Sequence, residues 1–456
     1  MMATVPAMPP HTELTDPRTG LVRSVQPVSE ENDVLDAVRR ASEAAPRWAA
    51  LPVSQRSRRL FALAQLVEDS LDAYALAEQA GTGKPLEQAH GEIAAAVDVL
   101  RFYAGAVRAD TGPSAGRYLP GRESWVRWEP LGVLAAIVPW NYPLLMAAWR
   151  LGPALAAGNT VVLKPAETTP DTALLIASHA EQALGPGVLV TLPGDRRTGR
   201  LLVEGAVDAV AFTGSNAGGT DVAQRAGIRR LSLELGGNCP VVVLPDAPDY
   251  SYDEIVAACV YNAGQSCAAP ARVITLQENH DEVVERLAEA MARRPAGTHF
   301  GPLNNPDQAA RFDRVVEVSA AKIRHVAPLE VTAAEQGGYW RPGQILAGVA
   351  EDDPAVVQEV FGPLLTVQAA VGVDDAVRLA NGVDHALAAS VWSTAGGPAL
   401  ALAQRLDCGE VWVNCHLEQT PELPHGGRRS SGQGTDLSVL ALAEYQRPKT
   451  VTVRLD

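Results

Sequence analysis

Three residues stand in settings where a side chain can do covalent or acid–base chemistry. Cys267 closes the run Tyr261-Asn262-Ala263-Gly264-Gln265-Ser266, a polar, glycine-containing stretch that ends an apolar helical pattern. A cysteine presented on such a turn meets backbone N–H groups able to stabilise a thiolate and an oxyanion. Taken alone, a cysteine is more often a small buried hydrophobe. Glu234 separates the strand-like Leu231-Ser232-Leu233 from Leu235-Gly236-Gly237. A carboxylate at a strand end beside two glycines suits a general base with room for substrate, and equally a strand-end ion pair. Asn141 lies in Pro139-Trp140-Asn141-Tyr142-Pro143, where two prolines fix the turn and aim the amide as an oxyanion donor must be aimed. An Asn in a Pro turn also has a plain turn-forming role.

Two further stretches follow apolar strands directly. Lys164-Pro165-Ala166-Glu167 places a cation and a carboxylate at the C-terminal end of one, where open α/β sheets bind ligands. Phe212-Thr213-Gly214-Ser215 opens a helix after another, a seat for a pyrophosphate. Other signatures are missing. There is no GxGxxG, no HExxH, and Thr220 follows Gly219 where a P-loop needs Lys. The nine His show no metal-ligand clustering, so no metal is expected. Gly264-Gln265-Ser266-Cys267-Ala268 falls one residue short of a serine-hydrolase elbow.

The elements that must position these residues show in the periodicity. Residues 33–48, 54–80 and 86–108 read as amphipathic helices, and 125–128 alternates like a strand. From 131 to 236, strands at 133–138, 160–163, 188–192 and 209–212 alternate with helices at 144–157, 170–184, 196–204 and 216–226. A second alternation has strands at 241–244, 272–276, 365–370, 390–392 and 411–413, with helices at 253–262, 280–293, 373–381 and 398–406. Both are the βαβα rhythm of open, mostly parallel sheets. The tail Lys449-Thr450-Val451-Thr452-Val453 alternates like an exposed strand in need of a partner.

The chain has 456 residues and 47% apolar content, enough for about three structural units with large cores. Its net charge of −15 argues against nucleic-acid and anionic-membrane partners. The charge-free stretch Leu131 to Trp149 is interrupted by Pro139, Asn141 and Pro143, so it reads as strand, turn and core helix, and no membrane span is expected. Five cysteines without CxxC spacing fit a reducing, cytoplasmic setting. No basic n-region precedes Arg18, so no signal peptide is expected.

In order and spacing, PWNYP, KPAE, FTGS, Glu234-Leu235-Gly236-Gly237, GQSC and Glu359-Val360-Phe361-Gly362-Pro363 resemble the aldehyde dehydrogenase superfamily, from about Asp33 to the C-terminus. The resemblance implies an α/β, aldehyde dehydrogenase-like fold with two open α/β domains. These are an NAD-binding domain (1–110 and 131–236) and a catalytic domain (237–430), with a small β oligomerisation element from 111–130 and 431–456. It implies a homodimer or homotetramer acting on a small-molecule aldehyde. It makes Cys267 the nucleophile, Asn141 the oxyanion donor and Glu234 the water-activating base. It places NAD on Val138, Pro139, Trp140, Lys164, Glu167, Gly194, Phe212, Thr213, Gly214, Ser215 and Leu235, with Glu359 and Phe361 at the nicotinamide ribose and ring. A carboxylate at 167 suits ribose hydroxyls and repels a 2′-phosphate, which favours NAD over NADP.

Within the superfamily, the Pro139–Trp149 stretch, Val411-Trp412-Val413-Asn414-Cys415-His416, Leu423-Pro424-His425-Gly426-Gly427 and Ser431–Ser438 are similar to bacterial aminoaldehyde (4-aminobutyraldehyde, or 1-pyrroline) dehydrogenases. Tyr142, Met146, Trp149, Tyr261, Ser266, Glu418 and His425 would then line the substrate site. The aromatic rings would sleeve an alkyl chain whose terminal cation meets Glu418 or Glu422. Asp436 falls near the family's acidic residue beside the water path. The chain departs from the pattern at Glu418–Glu422, in a shorter 293–302 connection, and at Asn238, where lysine is common. Dehydrogenation of non-amino aliphatic or aromatic aldehydes is the alternative.

Overall fold

The computed structural model describes residues 10–109 and 115–455. Two mostly parallel sheets carry the molecule. In the first, five parallel strands run in the order Arg230–Leu235, Ala209–Gly214, Val133–Ile137, Thr160–Lys164, Leu189–Thr191, and the short Gly432–Gln433 joins antiparallel outside Arg230–Leu235. The central strands are buried along their whole length, which is why they read as apolar runs without alternation. Strand order reverses between Val133–Ile137 and Ala209–Gly214, and the crevice beyond their carboxyl ends is where such a sheet holds a ligand.

The second sheet has seven strands in the order Ile323–Val326, Gln344–Ala347, Leu364–Ala370, Pro270–Leu276, Cys239–Val243, Ala388–Trp392, Glu410–Val413; only the first pair is antiparallel. The step from one sheet to the other takes just Gly236–Asn238, between Arg230–Leu235 and Cys239–Val243. Glu234 therefore ends the first sheet beside the start of the second. Helices Glu31–Ala49, Leu86–Ala106, Pro143–Ala157 and Asp171–Leu184 cover the first sheet, and Ser251–Val260 and His280–Ala292 pack on the second.

The predicted 54–80 helix is two helices, Val53–Asp69 and Leu71–Thr82, because Ser70 leaves helical geometry (φ −111°, ψ 20°). Among the pieces without an expectation are the hairpin His11–Thr15 with Val22–Pro27, the helix Pro306–Val318, and the antiparallel pair Ile323–Val326 with Gln344–Ala347. The tail strand finds its partner within the chain. Gln446–Arg454 pairs with Arg122–Pro130 along its length, and Gly116–Leu119 completes a three-stranded sheet. Leu131 to Trp149 is the strand, turn and helix expected, and among the described residues no helix is long and apolar enough to cross a membrane.

Candidate active site

The turn that carries Cys267 is built from left-handed backbone. Asn262 (φ 50°), Ala263 (φ 56°) and Gly264 (φ 72°) follow one another, a conformation that costs free energy for residues with a Cβ and clusters at functional sites. At Gly264 a Cβ would stand 2.3 Å from the Gly362 carbonyl oxygen, and at Gly237 one would stand 2.0 Å from the Cys267 carbonyl oxygen. The sheet-to-sheet step and the cysteine turn thus pack backbone against backbone, with Glu234 three residues before the contact at Gly237.

Cys267, Glu234 and Asn141 line one cavity of about 640 Å3 together with Pro139, Trp140, Met146, Thr213, Leu235, Glu359 and Phe361. Asn141 Nδ2 donates to the Gln265 carbonyl (3.0 Å), and its Oδ1 is buried without a partner. The Asn141 carbonyl accepts from Lys84 Nζ (3.0 Å) and from Asn262 Nδ2 (2.8 Å), so the turn is clamped from two sides. Burial first, then the neighbouring Glu234, push the Cys267 thiol well above its ordinary range. Burial and the adjacent carboxylate thus oppose the resting thiolate that the N–H groups of the turn would favour.

Glu359 accepts from the Gly237 N–H (3.0 Å), and burial raises its carboxyl to about 7. Phe361 sits at φ 55°, its ring edge-on to Trp140 at 5.4 Å. The cavity continues into a groove of about 1010 Å3 at the carboxyl ends of the first sheet, lined by Val138, Lys164, Glu167, Phe212, Gly214 and Ser215. Lys164 Nζ lies 3.7 Å from Glu167 Oε2. Ser215 caps the helix Asn216–Ala226, its hydroxyl accepting from the Gly218 N–H at 3.2 Å, which leaves a helix N-terminus facing the groove. A cation–carboxylate pair, a helix start and a buried carboxylate in series fit the ribose, pyrophosphate and second ribose of a dinucleotide. Gly194 does not line this groove; it packs against Thr198 at the start of the next helix, where a Cβ would meet the Thr198 hydroxyl at 2.2 Å.

On the other side of Cys267 opens a cavity of about 1270 Å3 lined by Tyr142, Met146, Trp149, Tyr261, Ser266 and Glu418. Tyr142 and Tyr261 stack (6.4 Å, 20°), and Tyr142 already carries the Lys84 ammonium over its ring at 4.7 Å. Glu92 and Glu254 also line this cavity; neither was singled out from the sequence, where each is one acid in a helical run. Glu92 is buried, pairs with Lys84 through Oε2, and has no partner for Oε1. Glu422 is outside the lining and accepts from the Thr420 hydroxyl.

His425 is also outside both linings. It is buried behind Glu234, with Nε2 3.6 Å from Glu234 Oε1, Nδ1 2.8 Å from Glu410 Oε2, and its ring edge against Trp149 at 5.1 Å. Burial alone would lower its pKa; the two carboxylates overrule that and raise it to about 10. Asp436 pairs backbone to backbone with His425 and binds Arg150 Nη1 at 2.6 Å.

The whole-chain comparisons agree with this geometry. A model described as the aldehyde dehydrogenase family matches residues 5–451. The chain belongs to the aldehyde dehydrogenase family. It is 35% identical to a retinaldehyde dehydrogenase 3 of Rattus norvegicus over 94% of this chain and 86% of that protein. A solved NAD-dependent aldehyde dehydrogenase from Sinorhizobium meliloti superposes with a TM-score of 0.93 at 33% identity, covering 98% of this chain and 92% of the other. A betaine aldehyde dehydrogenase of Staphylococcus aureus, solved with NAD+, has a TM-score of 0.93 at 27% identity over 98% and 92%. The chain is thus an oxidoreductase of this family with its α/β fold.

Proposed function

We propose that the protein oxidises an ω-aminoaldehyde such as 4-aminobutanal to the carboxylic acid with NAD. Three carboxylates in the cavity beside Cys267 carry this reading: Glu92 in its buried wall, Glu254 and Glu418 at its exposed rim. Among the described residues no Lys or Arg lines that cavity, and burial lowers the pKa of the imidazole that does, His416, to about 4, so it stays neutral. Stacked Tyr142 and Tyr261 suit an alkyl chain that ends in an ammonium, a contact worth about 0.5–2 kcal/mol.

In the reaction, Cys267 Sγ bonds to the carbonyl carbon as the thiol gives up its proton to solvent water, the one proton released overall. Asn141 Nδ2 and the Cys267 N–H hold the oxyanion of the thiohemiacetal. Lys164, Glu167, Ser215 and Glu359 would hold NAD along the groove, where it would supply the acceptor for the hydride that leaves the carbonyl carbon; the Cys267 thioester remains. Glu234 takes a proton from the water that attacks the thioester; the acid leaves and the thiol is restored. On this reading residues 1–110 and 131–236 are the NAD-binding domain, 237–430 the catalytic domain, and 111–130 with 431–456 an oligomerisation element of a homodimer or homotetramer.

The test is NADH formation from purified protein with 4-aminobutanal and 3-aminopropanal against uncharged aldehydes of equal length. A preference of tenfold or more in kcat/KM for the amines, about 1.4 kcal/mol, is expected. Equal turnover of both would remove the amine. A cavity of about 1270 Å3 also has room for a bulkier aldehyde, so better turnover of an uncharged aromatic one would favour that second reading.

A further inference from the structure

No spacing in the sequence suggests a metal, yet the fold assembles three donors of the types zinc prefers. Cys267 Sγ, one carboxylate oxygen of Glu234 and one ring nitrogen of His425 all lie within 4.8 Å of one another. His425 Nε2 and Glu234 Oε1 are both buried and both lack a hydrogen-bond partner, and they face each other at 3.6 Å. A tetrahedral zinc with bonds of about 2.0–2.3 Å needs its ligand atoms about 3.3–3.6 Å apart, so side-chain shifts of about 1 Å close the set.

The surroundings are those of a ligand histidine. Glu410 Oε2 holds Nδ1 at 2.8 Å, with Gln419 Nε2 at 3.0 Å from the same nitrogen, and Trp149 fixes the ring plane. A carboxylate on the far nitrogen sets the tautomer that presents Nε2 and makes it a better donor. Cys267 and Glu234 line the cavity, so the fourth position of the metal opens towards water.

We propose that Cys267, Glu234 and His425, with Glu410 orienting the histidine, form a latent site for a zinc-class divalent cation that shuts the enzyme off reversibly. Binding replaces the S–H bond of Cys267 with a metal bond and releases that proton to solvent, while His425 Nε2 donates the lone pair that the Nδ1–H tautomer leaves free. No oxidation state changes. The metal takes the sulfur that attacks the aldehyde and the carboxylate that activates water, so metal and aldehyde exclude each other. The site stands on its three donors whether or not the aminoaldehyde reading is right.

The experiment titrates the full-length, metal-free protein with Co2+ and with Zn2+ and follows binding directly. The expected result is one tightly bound ion per chain, a thiolate-to-cobalt charge-transfer band with tetrahedral d–d bands, and protection of Cys267 from iodoacetamide by Zn2+. Glu410→Gln, which keeps the shape of the side chain, is expected to weaken Zn2+ tenfold to a hundredfold. His425→Phe and Cys267→Ser should each abolish the charge-transfer band, with folding checked by circular dichroism. A band that survives both His425→Phe and Glu410→Gln unchanged would mean a bare thiol adduct and overturn the site; so would the absence of any band while iodoacetamide still labels Cys267. NADH formation by the metal-free protein is scored separately, so failure of the aminoaldehyde reading cannot pass for failure of this one.

Discussion

Cys267 and Glu234 are coupled in a direction that the reaction scheme alone does not reveal. Burial and then Glu234 raise the thiol's pKa, so on the proposed mechanism the carboxylate assigned to water activation also helps hold the resting sulfur neutral. Below the thiol pKa, alkylation of Cys267 by iodoacetamide should rise about tenfold per pH unit. Glu234→Gln removes the charge, lowers the thiol pKa, and should speed alkylation several-fold at neutral pH. The same variant should halt NADH formation after about one equivalent per site, because the thioester is no longer hydrolysed. Slower alkylation in Glu234→Gln, read by mass spectrometry, would instead make Glu234 the base that activates the resting thiol. Glu359 gives a second signed expectation. Burial raises its carboxyl to about 7, so the ionised form, the one proposed to accept hydrogen bonds from ribose hydroxyls, dominates only above that pH. NAD binding, followed by quenching of tryptophan fluorescence, should tighten between about pH 6 and 8 and flatten in Glu359→Gln. An unchanged pH slope in that variant would take Glu359 out of the cofactor site.

At the scale of elements, Arg150 joins what the sequence keeps apart. It rises from the helix Pro143–Ala157 to meet Thr213 Oγ1 (2.7 Å), Ser232 Oγ (3.1 Å) and Asp436 Oδ1 (2.6 Å), and so ties two strands of the first sheet to the C-terminal segment that carries His425. Arg150 and Asp436 are both buried, and Arg150→Met would leave an unpaired buried carboxyl. A loss of about 3–5 kcal/mol in urea unfolding is expected, and the double variant Arg150→Met/Asp436→Asn should lose less than the two single losses summed. A single-variant loss below about 1 kcal/mol would mean that water reaches Asp436. Arg150 reads in the sequence only as the end of a charge-free run. That marks the limit of legibility. Buried parallel strands and amphipathic helices are local patterns, and the sequence places them to within a few residues. PWNYP and GQSC are local as well, because each turn is specified by the residues inside it. The pairings His425–Glu410, Lys84–Glu92 and Arg150–Asp436 join residues whose spacing carries no periodic signal, and they exist only after packing. The hairpin at 11–27 escaped for a related reason: its strands are mostly exposed and lack strict apolar alternation.

The charge of the whole molecule bears on how a substrate arrives. A net −15 gives an attractive field for an ammonium, and Glu254 and Glu418 repeat that sign at the rim of the cavity beside Cys267. Between exposed charges such attraction is screened over about 10 Å at 0.1 M salt. An aminoaldehyde guided to the rim should therefore lose kcat/KM as ionic strength rises, by several-fold from low salt to about 0.5 M. Its kcat should barely move, because steering acts on encounter and not on the bound state. An uncharged aldehyde of equal length, assayed in the same salt series, should show a flat kcat/KM. A parallel fall for both substrates would place the salt effect on cofactor binding or on the fold. A flat response for the amine, with its preference over the uncharged aldehyde intact, would move recognition away from the rim to Glu92, whose carboxylate is buried where salt does not reach. Glu92→Gln would then cut the amine preference, while Glu418→Gln would leave it untouched.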